Sequence, residues 1–398
     1  MTQTALTFEG LKISGQVGMG FPPPPNSYRS VVYNNTQPPA PTATWLHITP
    51  DSRIHVYCGK VEYGQNIRSG LAVEVADELR APLDSVDVTL SDTDLVPWDM
   101  GTFGSQSTAR AGLQLRKAAA TAREALLDLA ANHLDLPVSE LVASDGAVAT
   151  RHDPSRRVSY GDLVAGQEIQ RDVDEEAPLT EASDFTVMGR PQKRIDAIDR
   201  VTGRTKYSQD ISVPGMLNAR IIRPPSFGAR LIEADGSVAE RMPGVVAVVR
   251  DENLLAVVAE TDEQAEFATR VVRAQWDERP SQPSRFDMPK LLLESAKETM
   301  VTQDVGSLED GFRQADHVLE STYYLPYISN APMEPKASVA VWDGDRLTLW
   351  AGTQRPFGVR QEMAERFGVP EATVHVITPD VGGGFGSKSY YPVAMEAA

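Results

Sequence analysis

Hydrophobic and polar positions change period several times along the chain, and each change marks an element. From Trp45 to Gly64, WLHITPDSRIHVYCGKVEYG alternates apolar and polar residues on either side of Pro50-Asp51-Ser52, the pattern of a β-hairpin closed by a polar turn. Leu71, Val75 and Leu79 then recur at helical spacing within IRSGLAVEVADEL, and SVDVTLSDTD returns to alternation, which predicts a β-β-α-β unit. A longer helix is predicted from about Ala109 to about Leu134, because Ala111, Leu115, Ala118, Ala122, Leu126 and Leu129 fall on one face.

Between Lys193 and Trp276, the strand-like stretches TKYSQDI, NARIIRP, VVAVVRD and LLAVVAE precede a helix in DEQAEFATRVVRA and a last strand at Ala274-Gln275-Trp276. That order predicts a compact α+β module. Further on, ESTYYLPYISNAPMEPKASVAVWDGDRLTLWAGTQ reads as strands with a hairpin turn at Asp343-Gly344. RPFGVRQEMAERFGVP reads as a helix entered after Pro356 and ended by Gly368, and TVHVITPDV as a buried strand. The pattern lapses in the Pro- and Asn-rich FPPPPNSYRSVVYNNTQPPAP, in the acidic stretch after Pro154, and after Asp277. The expected organisation is an extended arm at 1–42, a first core section at 43–150, a connector at 151–191, a module at 192–280, a connector at 281–306, and a last core section at 307–398.

Composition narrows the chemistry. At 398 residues the chain exceeds the usual size of one domain. It holds no apolar run long enough for a membrane helix, and its first residues lack the basic start and apolar core of a secretory signal, so a cytoplasmic location is expected. With 55 acidic against 38 basic residues, a net charge of -17 repels a phosphate backbone, and nucleic acid is not an expected partner. The single cysteine, Cys58, excludes an internal disulfide and any cluster held by several cysteines of this chain, and its strand-like setting predicts a buried, unreactive thiol. The six histidines have no close ligand spacing, so no metal is expected to be held directly by the protein.

The strongest candidate for chemistry is VITPDVGGGFGSKS, Val376 to Ser389. A nucleotide-binding P-loop requires G-x-x-x-x-G-K-[ST], and counting from Gly382 the second glycine is Ser387, so a phosphate-binding nucleotidase is a weak alternative. The loop still offers several amides without Cβ obstruction at a strand end, which suits close approach of a charged or oxo-rich ligand.

VEYGQNIRSGL, GTFGSQST, TGRTKYSQDISVPGML, TQRPFGVR and VGGGFGSKS together resemble the molybdenum-binding subunit of the xanthine dehydrogenase and aldehyde oxidase family, in the order found in its isoquinoline 1-oxidoreductase branch. The resemblance runs from Trp45 onward. It implies an α+β fold in which a discontinuous molybdopterin-binding domain carries an inserted α/β hammerhead module. It also implies a molybdenum-bearing molybdopterin, in a form that includes the cytosine dinucleotide. Carried across, Gly64, Gln65, Asn66, Gly104, Ser105, Gln106 and Ser107 hold the pterin and its phosphate tail. The helix after Thr108 aims its positive end at that tail. Gln354 hydrogen-bonds an oxygen ligand of the metal, a catalytic contact. Gly383, Gly384, Phe385 and Gly386 pack against the ligand sphere, and Phe385 and Ser389 face the substrate.

Two departures from the family pattern shape the expectation. The family's glutamate base has no counterpart before Ala398, so a second chain with the C-terminal half and that glutamate is expected. Ser389 stands where purine-oxidising relatives carry a glutamate, which disfavours purines. The activity implied is hydroxylation of an electron-poor carbon, in an N-heteroaromatic or an aldehyde, with water-derived oxygen. The electrons then pass to a 2Fe-2S iron-sulfur subunit and on to a flavin (FAD) or cytochrome subunit. A non-catalytic scaffold that only holds the cofactor is the alternative.

Overall fold

The computed structural model describes residues 8–14, 44–278, 282–298, 300–301 and 303–398. The chain divides into two compact units, and the first is discontinuous: its described parts are 8–14, 44–212 and 330–398, while 213–329 form the second.

The first unit begins with β1 (Gly10–Ser14), β2 (Thr44–Ile48) and β3 (Ile54–Cys58), followed by α1 (Ile67–Leu79) and β4 (Val86–Leu90). The expected hairpin is present as β2 and β3, which pair antiparallel, and α1 crosses over to bring β4 parallel to β3. Helix α2 (Leu113–Leu134) follows a π-helical turn at Ser107–Gly112, so helical backbone starts slightly before the expected Ala109. A small sheet of β5 (Leu141–Ser144), β6 (Ala147–Thr150) and β7 (Arg157–Ser159) leads to α3 (Tyr160–Val164) and β8 (Glu168–Asp172). The main sheet runs β4-β3-β2-β1-β8. Leu71, Val75 and Leu79 of α1, and Leu115, Ala118, Ala122 and Leu126 of α2, share one buried core with Leu46, Val56 and Val88 of its strands.

Two boundaries differ from expectation. The proposed arm at 1–42 contains β1, which pairs with both β2 and β8; FPPPPNSYRSVVYNNTQPPAP itself lies outside the described residues. The proposed connector at 151–191 supplies β7, α3 and β8, and its remainder is laced to α1 by carboxylates that helical periodicity alone leaves unexplained. Buried Asp77 accepts from Thr186 N (2.9 Å), Thr186 Oγ1 (2.8 Å) and Met188 N (3.0 Å). Buried Glu78 accepts from Thr180 N (2.8 Å), Arg116 Nε (3.0 Å) and an Arg123 guanidinium nitrogen (2.7 Å). Acidic composition around these residues therefore coexists with a well-anchored backbone.

The segment after Lys193 also belongs to the first unit, through α4 (Ala197–Val201). TKYSQDI is not a strand; it carries a single 3-10 turn at Ser208–Asp210. The second unit holds β9 (Asn218–Ile221), β10 (Arg230–Asp235), β11 (Val245–Asp251), β12 (Leu254–Ala259), α5 (Asp262–Thr269) and β13 (Arg273–Asp277), then α6 (Met288–Ser295) and α7 (Leu308–Gln314). Its strands form the sheets β11-β12-β9 and β10-β13, with Val257 and Ala268 in a small shared core.

The chain then returns to the first unit with β14 (Ser338–Asp343), β15 (Arg346–Ala351), α8 (Pro356–Phe367), β16 (Val374–Ile377) and α9 (Pro392–Ala397). The β14-β15 turn is Gly344-Asp345, one residue later than expected, because Asp343 still pairs with Arg346. Pro356 opens α8, and Gly368 closes it with φ of 64°, a left-handed conformation that glycine adopts without strain. β15 and β16 are parallel, so a second strand-helix-strand unit ends just before the glycine loop.

Where α1 meets the π-helical turn, a Cβ on Gly112 would lie 1.9 Å from Glu74 Oε2, so only glycine permits this approach. That oxygen is buried without a hydrogen-bond partner. Burial pushes the Glu74 carboxyl up to about 7, against the pull of Arg116. A folded-state pKa above the unfolded value means that folding is penalised once pH exceeds the unfolded value, and that the penalty grows until pH passes the folded value. Glu74→Gln is therefore expected to stabilise the protein at about pH 8 by on the order of 1–3 kcal/mol and to leave stability unchanged at about pH 4.5. Urea unfolding at the two pH values checks this; equal effects at both would show that Glu74 is ionised in the fold.

Candidate functional site

The ends of the two parallel strand pairs are stitched together. Beyond β4, Thr93 N donates to Val376 O (3.0 Å) and Thr93 Oγ1 accepts from Val376 N (2.9 Å). Thr378 N donates to Ser91 O (3.0 Å), and Ser91 Oγ returns a bond to Thr378 O (2.9 Å). The loops that leave these strands are thereby directed into one region.

Gln354 lies at the centre of that region. Its side chain, in a residue 5% exposed, donates from Nε2 to Thr102 O (2.9 Å) and accepts from Gly386 N at Oε1 (3.2 Å). Its backbone accepts from Thr102 N (2.9 Å) and donates to Lys388 O (2.9 Å). Thr102 Oγ1 in turn accepts from Val61 N (2.8 Å). One glutamine thus clamps the segments around 61, 102 and 386. A Cβ on Gly384 would stand 2.9 Å from both Gln354 Oε1 and the Tyr63 ring, so glycine is needed here for the protein's own packing.

A buried carboxylate shapes the 64–66 loop. Glu62 accepts from Gly64 N (2.8 Å), Asn66 N (3.0 Å) and Arg68 N (3.1 Å). Arg194 and Arg200 guanidinium nitrogens lie 3.5 Å and 3.8 Å from it. The same arginines bind Asp196, and Arg194 foremost holds that carboxyl down to about 2. Arg200 and Arg68 also reach Asp380, whose carboxyl burial nonetheless holds above its ordinary range. Amides of Gly64 and Asn66 are therefore engaged by Glu62, and the expectation that they face a phosphate does not match this geometry.

Lys388, the residue that makes the loop resemble a P-loop, is wholly buried, with its ammonium on Glu334 Oε2 at 2.5 Å. The same oxygen accepts from Gly382 N (2.8 Å). A lysine committed to an internal carboxylate has no reach toward a nucleotide phosphate, which disposes of the nucleotidase alternative. Cys58 is buried, and burial foremost pushes its thiol up to about 12, as expected for an unreactive position. Among the described residues no cluster of His, Cys, Asp or Glu could hold a metal ion, and no helix is long and apolar enough to cross a membrane.

Several polar atoms here have no partner of their own. Tyr63 Oη, Glu334 Oε1 and Asn66 Oδ1 are buried and unpaired, although buried polar atoms are nearly always satisfied. A Cβ on Gly64 would meet nothing within 4 Å, and Gly104 has only the Gln106 side chain at 3.8 Å. The region thus combines unsatisfied donors and acceptors with open space beside two glycines of positive φ, features that fit a polar, oxygen-rich cofactor.

The sequence candidates distribute unevenly around it. Gln354, Gly384 and Gly386 converge as described, and Gly383 adjoins Phe385. Gln65 is exposed and folds back on its own loop, with Nε2 on Val61 O (2.9 Å) and Oε1 accepting from Tyr63 N. Gly104 and Ser105 both have positive φ, Gln106 Nε2 donates to Gly104 O (2.8 Å), and Ser107 opens the π-helical turn. Phe385 is 75% exposed and Ser389 half-buried, so neither is enclosed by described residues. Sequence reasoning missed Glu62, Tyr63, Thr102 and Glu334: the partners of Thr102 and Glu334, and the arginines beside Glu62, lie far away along the chain, and the only local trace was the polar run after VEYG.

Two family models described as molybdopterin cofactor-binding domains match residues 15–208 and 293–398. The chain is 31% identical to a nicotinate dehydrogenase component of Pseudomonas putida, over 89% of this chain and 30% of the relative. It belongs to the molybdopterin-binding subunits of the xanthine dehydrogenase family. It is also 27% identical to the beta chain of isoquinoline 1-oxidoreductase from Brevundimonas diminuta, over 89% of this chain and 52% of that one. It is 31% identical to the molybdenum-binding aldehyde oxidoreductase subunit PaoC of Escherichia coli, over 51% and 32%. The chain spans from about a third to half of the length of these relatives. Among solved structures, quinoline 2-oxidoreductase of Pseudomonas putida 86 aligns with a TM-score of 0.43 and 24% identity, over 52% of this chain and 32% of that one.

Within this molybdopterin-binding chain the Lys388-Glu334 pair is a structural clamp. Lys388→Met leaves the Glu334 carboxylate without its cation and is expected to destabilise the fold by about 3–5 kcal/mol, because a buried charge loses its partner. The double variant Lys388→Met/Glu334→Gln should recover most of that loss in urea unfolding. No recovery would mean that the lysine acts through something other than this pair.

Proposed function

We propose that this chain forms part of a molybdenum hydroxylase that oxidises an electron-poor carbon, in an N-heteroaromatic ring or an aldehyde, with water-derived oxygen. The family supports the class of cofactor, and the chemistry in the names of its relatives supports the class of substrate. The observation that carries the reading is Gln354, a neutral carboxamide fixed between Thr102 and Gly386 in a region of unsatisfied polar atoms.

When bound, the molybdopterin supplies the metal that makes a water-derived oxygen nucleophilic at neutral pH and accepts two electrons. Gln354 carries a second Nε2 hydrogen that can donate to an oxygen ligand of the metal without fixing a charge beside it. Gly383, Gly384 and Gly386 allow the loop to approach closely, with Phe385 and Ser389 toward the substrate. Gly64, Gln65, Asn66 and the Gly104–Ser107 turn line the path of the pterin and its tail; the Asn66 side-chain oxygen and the Tyr63 hydroxyl offer the contacts there, since the Gly64 and Asn66 amides belong to Glu62. The cofactor is proposed to be the cytosine dinucleotide form.

The glutamate base and the rest of the substrate pocket are assigned to the part of the molybdenum subunit that this chain does not span. Electrons leave through a 2Fe-2S subunit, and a flavin or cytochrome subunit accepts them. The family resemblance implies a hammerhead module at residues 192–280, and the proposal gives that role to the compact second unit, 213–329. A cytoplasmic location completes the reading.

Metal analysis and intact-mass inventory of the complex purified from its native host tests the proposal: molybdenum and iron together support it, and a molybdenum-free complex overturns it. For the residue itself, Gln354→Ala is expected to lower turnover by about 10²-fold, as when a preorganised donor is removed from a charged centre, while bound molybdenum is largely retained. Activity against nicotinate, isoquinoline and benzaldehyde with a dye acceptor, read beside metal content, checks this. Equal loss of metal and turnover would reduce Gln354 to a structural clamp.

A further inference from the structure

Three consecutive residues at the start of TQRPFGVR hold the exit of the glycine loop. Thr353 Oγ1 donates to Lys388 O (3.2 Å), and Gln354 N donates to the same oxygen (2.9 Å). Arg355 Nη1 donates to the next carbonyl, Ser389 O (3.4 Å), and also to Glu362 Oε1 of α8 (3.4 Å). Its side chain is only 15% exposed, deep for an arginine, which ordinarily keeps its head in water.

Two glycines make room for it. A Cβ on Gly101 would stand 2.9 Å from Arg355 Cγ, and one on Gly358 would stand 2.6 Å from Arg355 Nη2, 2.8 Å from Cζ and 2.9 Å from Nε. Gly101 has a φ of 141°, so its backbone calls for glycine in any case. Gly358 has no such reason: it lies in the first turn of α8 without a positive φ, where alanine would strengthen the helix. The contact that accounts for it is the guanidinium lying against it. Both hydrogen bonds of Nη1 are long and individually weak, so what this slot supplies is direction: a planar cation held flat in one place, with Ser389 on one side and α8 on the other.

We propose that Arg355 is a positioning residue for the oxidation: through Ser389 it fixes where the substrate side of the glycine loop stands relative to Gln354, and so sets substrate affinity. The inference rests on the hydroxylase reading, in which Gln354 faces the metal and Ser389 the substrate. Arg355 itself contacts neither. A purely structural tie between α8 and the loop would instead alter the loop's stability and leave substrate affinity alone.

The test is hydrogen exchange and steady-state kinetics on the complex purified from its native host, with Arg355→Met or Gly358→Ala introduced into this chain. Gly358→Ala keeps the arginine but puts a methyl where its guanidinium lies; the flexible side chain moves aside, so folding is preserved. Both variants are expected to speed exchange of the amides at 387–391 about tenfold, while the strand at 346–351 is unchanged. Both are expected to raise KM about tenfold and to leave kcat within about threefold, for whichever of nicotinate, isoquinoline and benzaldehyde the native complex oxidises fastest. The double variant should add nothing to either single one, because both break the same contact. Unchanged exchange at 387–391, or faster exchange with KM unmoved, overturns the positioning role; the second result reduces Arg355 to a structural tie. Molybdenum content separates the two readings: metal present with KM unmoved defeats only the role of Arg355, whereas a molybdenum-free complex defeats the hydroxylase reading and the positioning role with it.

Discussion

The reciprocal bonds between Ser91–Thr93 and Val376–Thr378 are the constraint on which the candidate site depends. Each joins the end of one parallel strand pair to the end of the other, and parallel strands deliver their outgoing loops to the same edge. The segments at 97–102 and 381–388 then meet without any secondary structure of their own. Buried backbone groups at such a junction must be paired. Threonine and serine hydroxyls do this here, because Thr93 Oγ1 and Ser91 Oγ each take a strand-end group that no ladder partner reaches.

Once the loops meet, their shape is held by buried polar groups more than by apolar packing. Lys60 binds Asp99 and Gly101 O, both at 2.8 Å, Asp99 accepts from Gly101 N, and Glu62 gathers three amides at the start of α1. Such arrangements gain little net stability, since desolvation of the charges offsets their attraction. What they supply is a single geometry: a carboxylate that accepts three amides cannot slide by one residue without orphaning them. A cradle for a large polar cofactor requires that kind of uniqueness, and the glycines then leave the cradle open where side chains would fill it.

Sequence pattern makes the regular elements legible because burial there is periodic. The α1 and α2 stripes, the Pro50 hairpin and the Pro356-to-Gly368 helix all rest on local signals, and all are present in the fold. Expected boundaries miss where anchoring is polar and distant. Nothing near Thr186 announces that its amide belongs to Asp77, more than a hundred residues away, so the acidic composition there reads as a connector. Likewise the strand expected at TKYSQDI gives way to a turn, and Gly10–Ser14 joins the sheet through partners on both sides. At the site, family motifs point to the glycine loop and Gln354 but not to Glu62 and Glu334, because a lone glutamate carries no pattern until its partners are in space.

The lysine of the glycine loop shows how the same local letters acquire opposite meanings. Gly-rich sequence followed by Lys-Ser suggests a cation free to meet a phosphate, and periodicity offers nothing against it. In the fold, Lys388 points into the protein and meets Glu334, and the amide of Gly382 shares that carboxylate. The pair neutralises itself and fixes the loop's base, which leaves the exposed crest of the loop, Phe385 and Gly386, without a net charge of its own. The groups beside that crest are backbone amides and the Gln354 carboxamide, which orient oxygen without committing to a charge state. That neutrality is what a redox-active metal centre requires of its surroundings, since its own charge changes in each cycle while the protein's dipoles must serve every state.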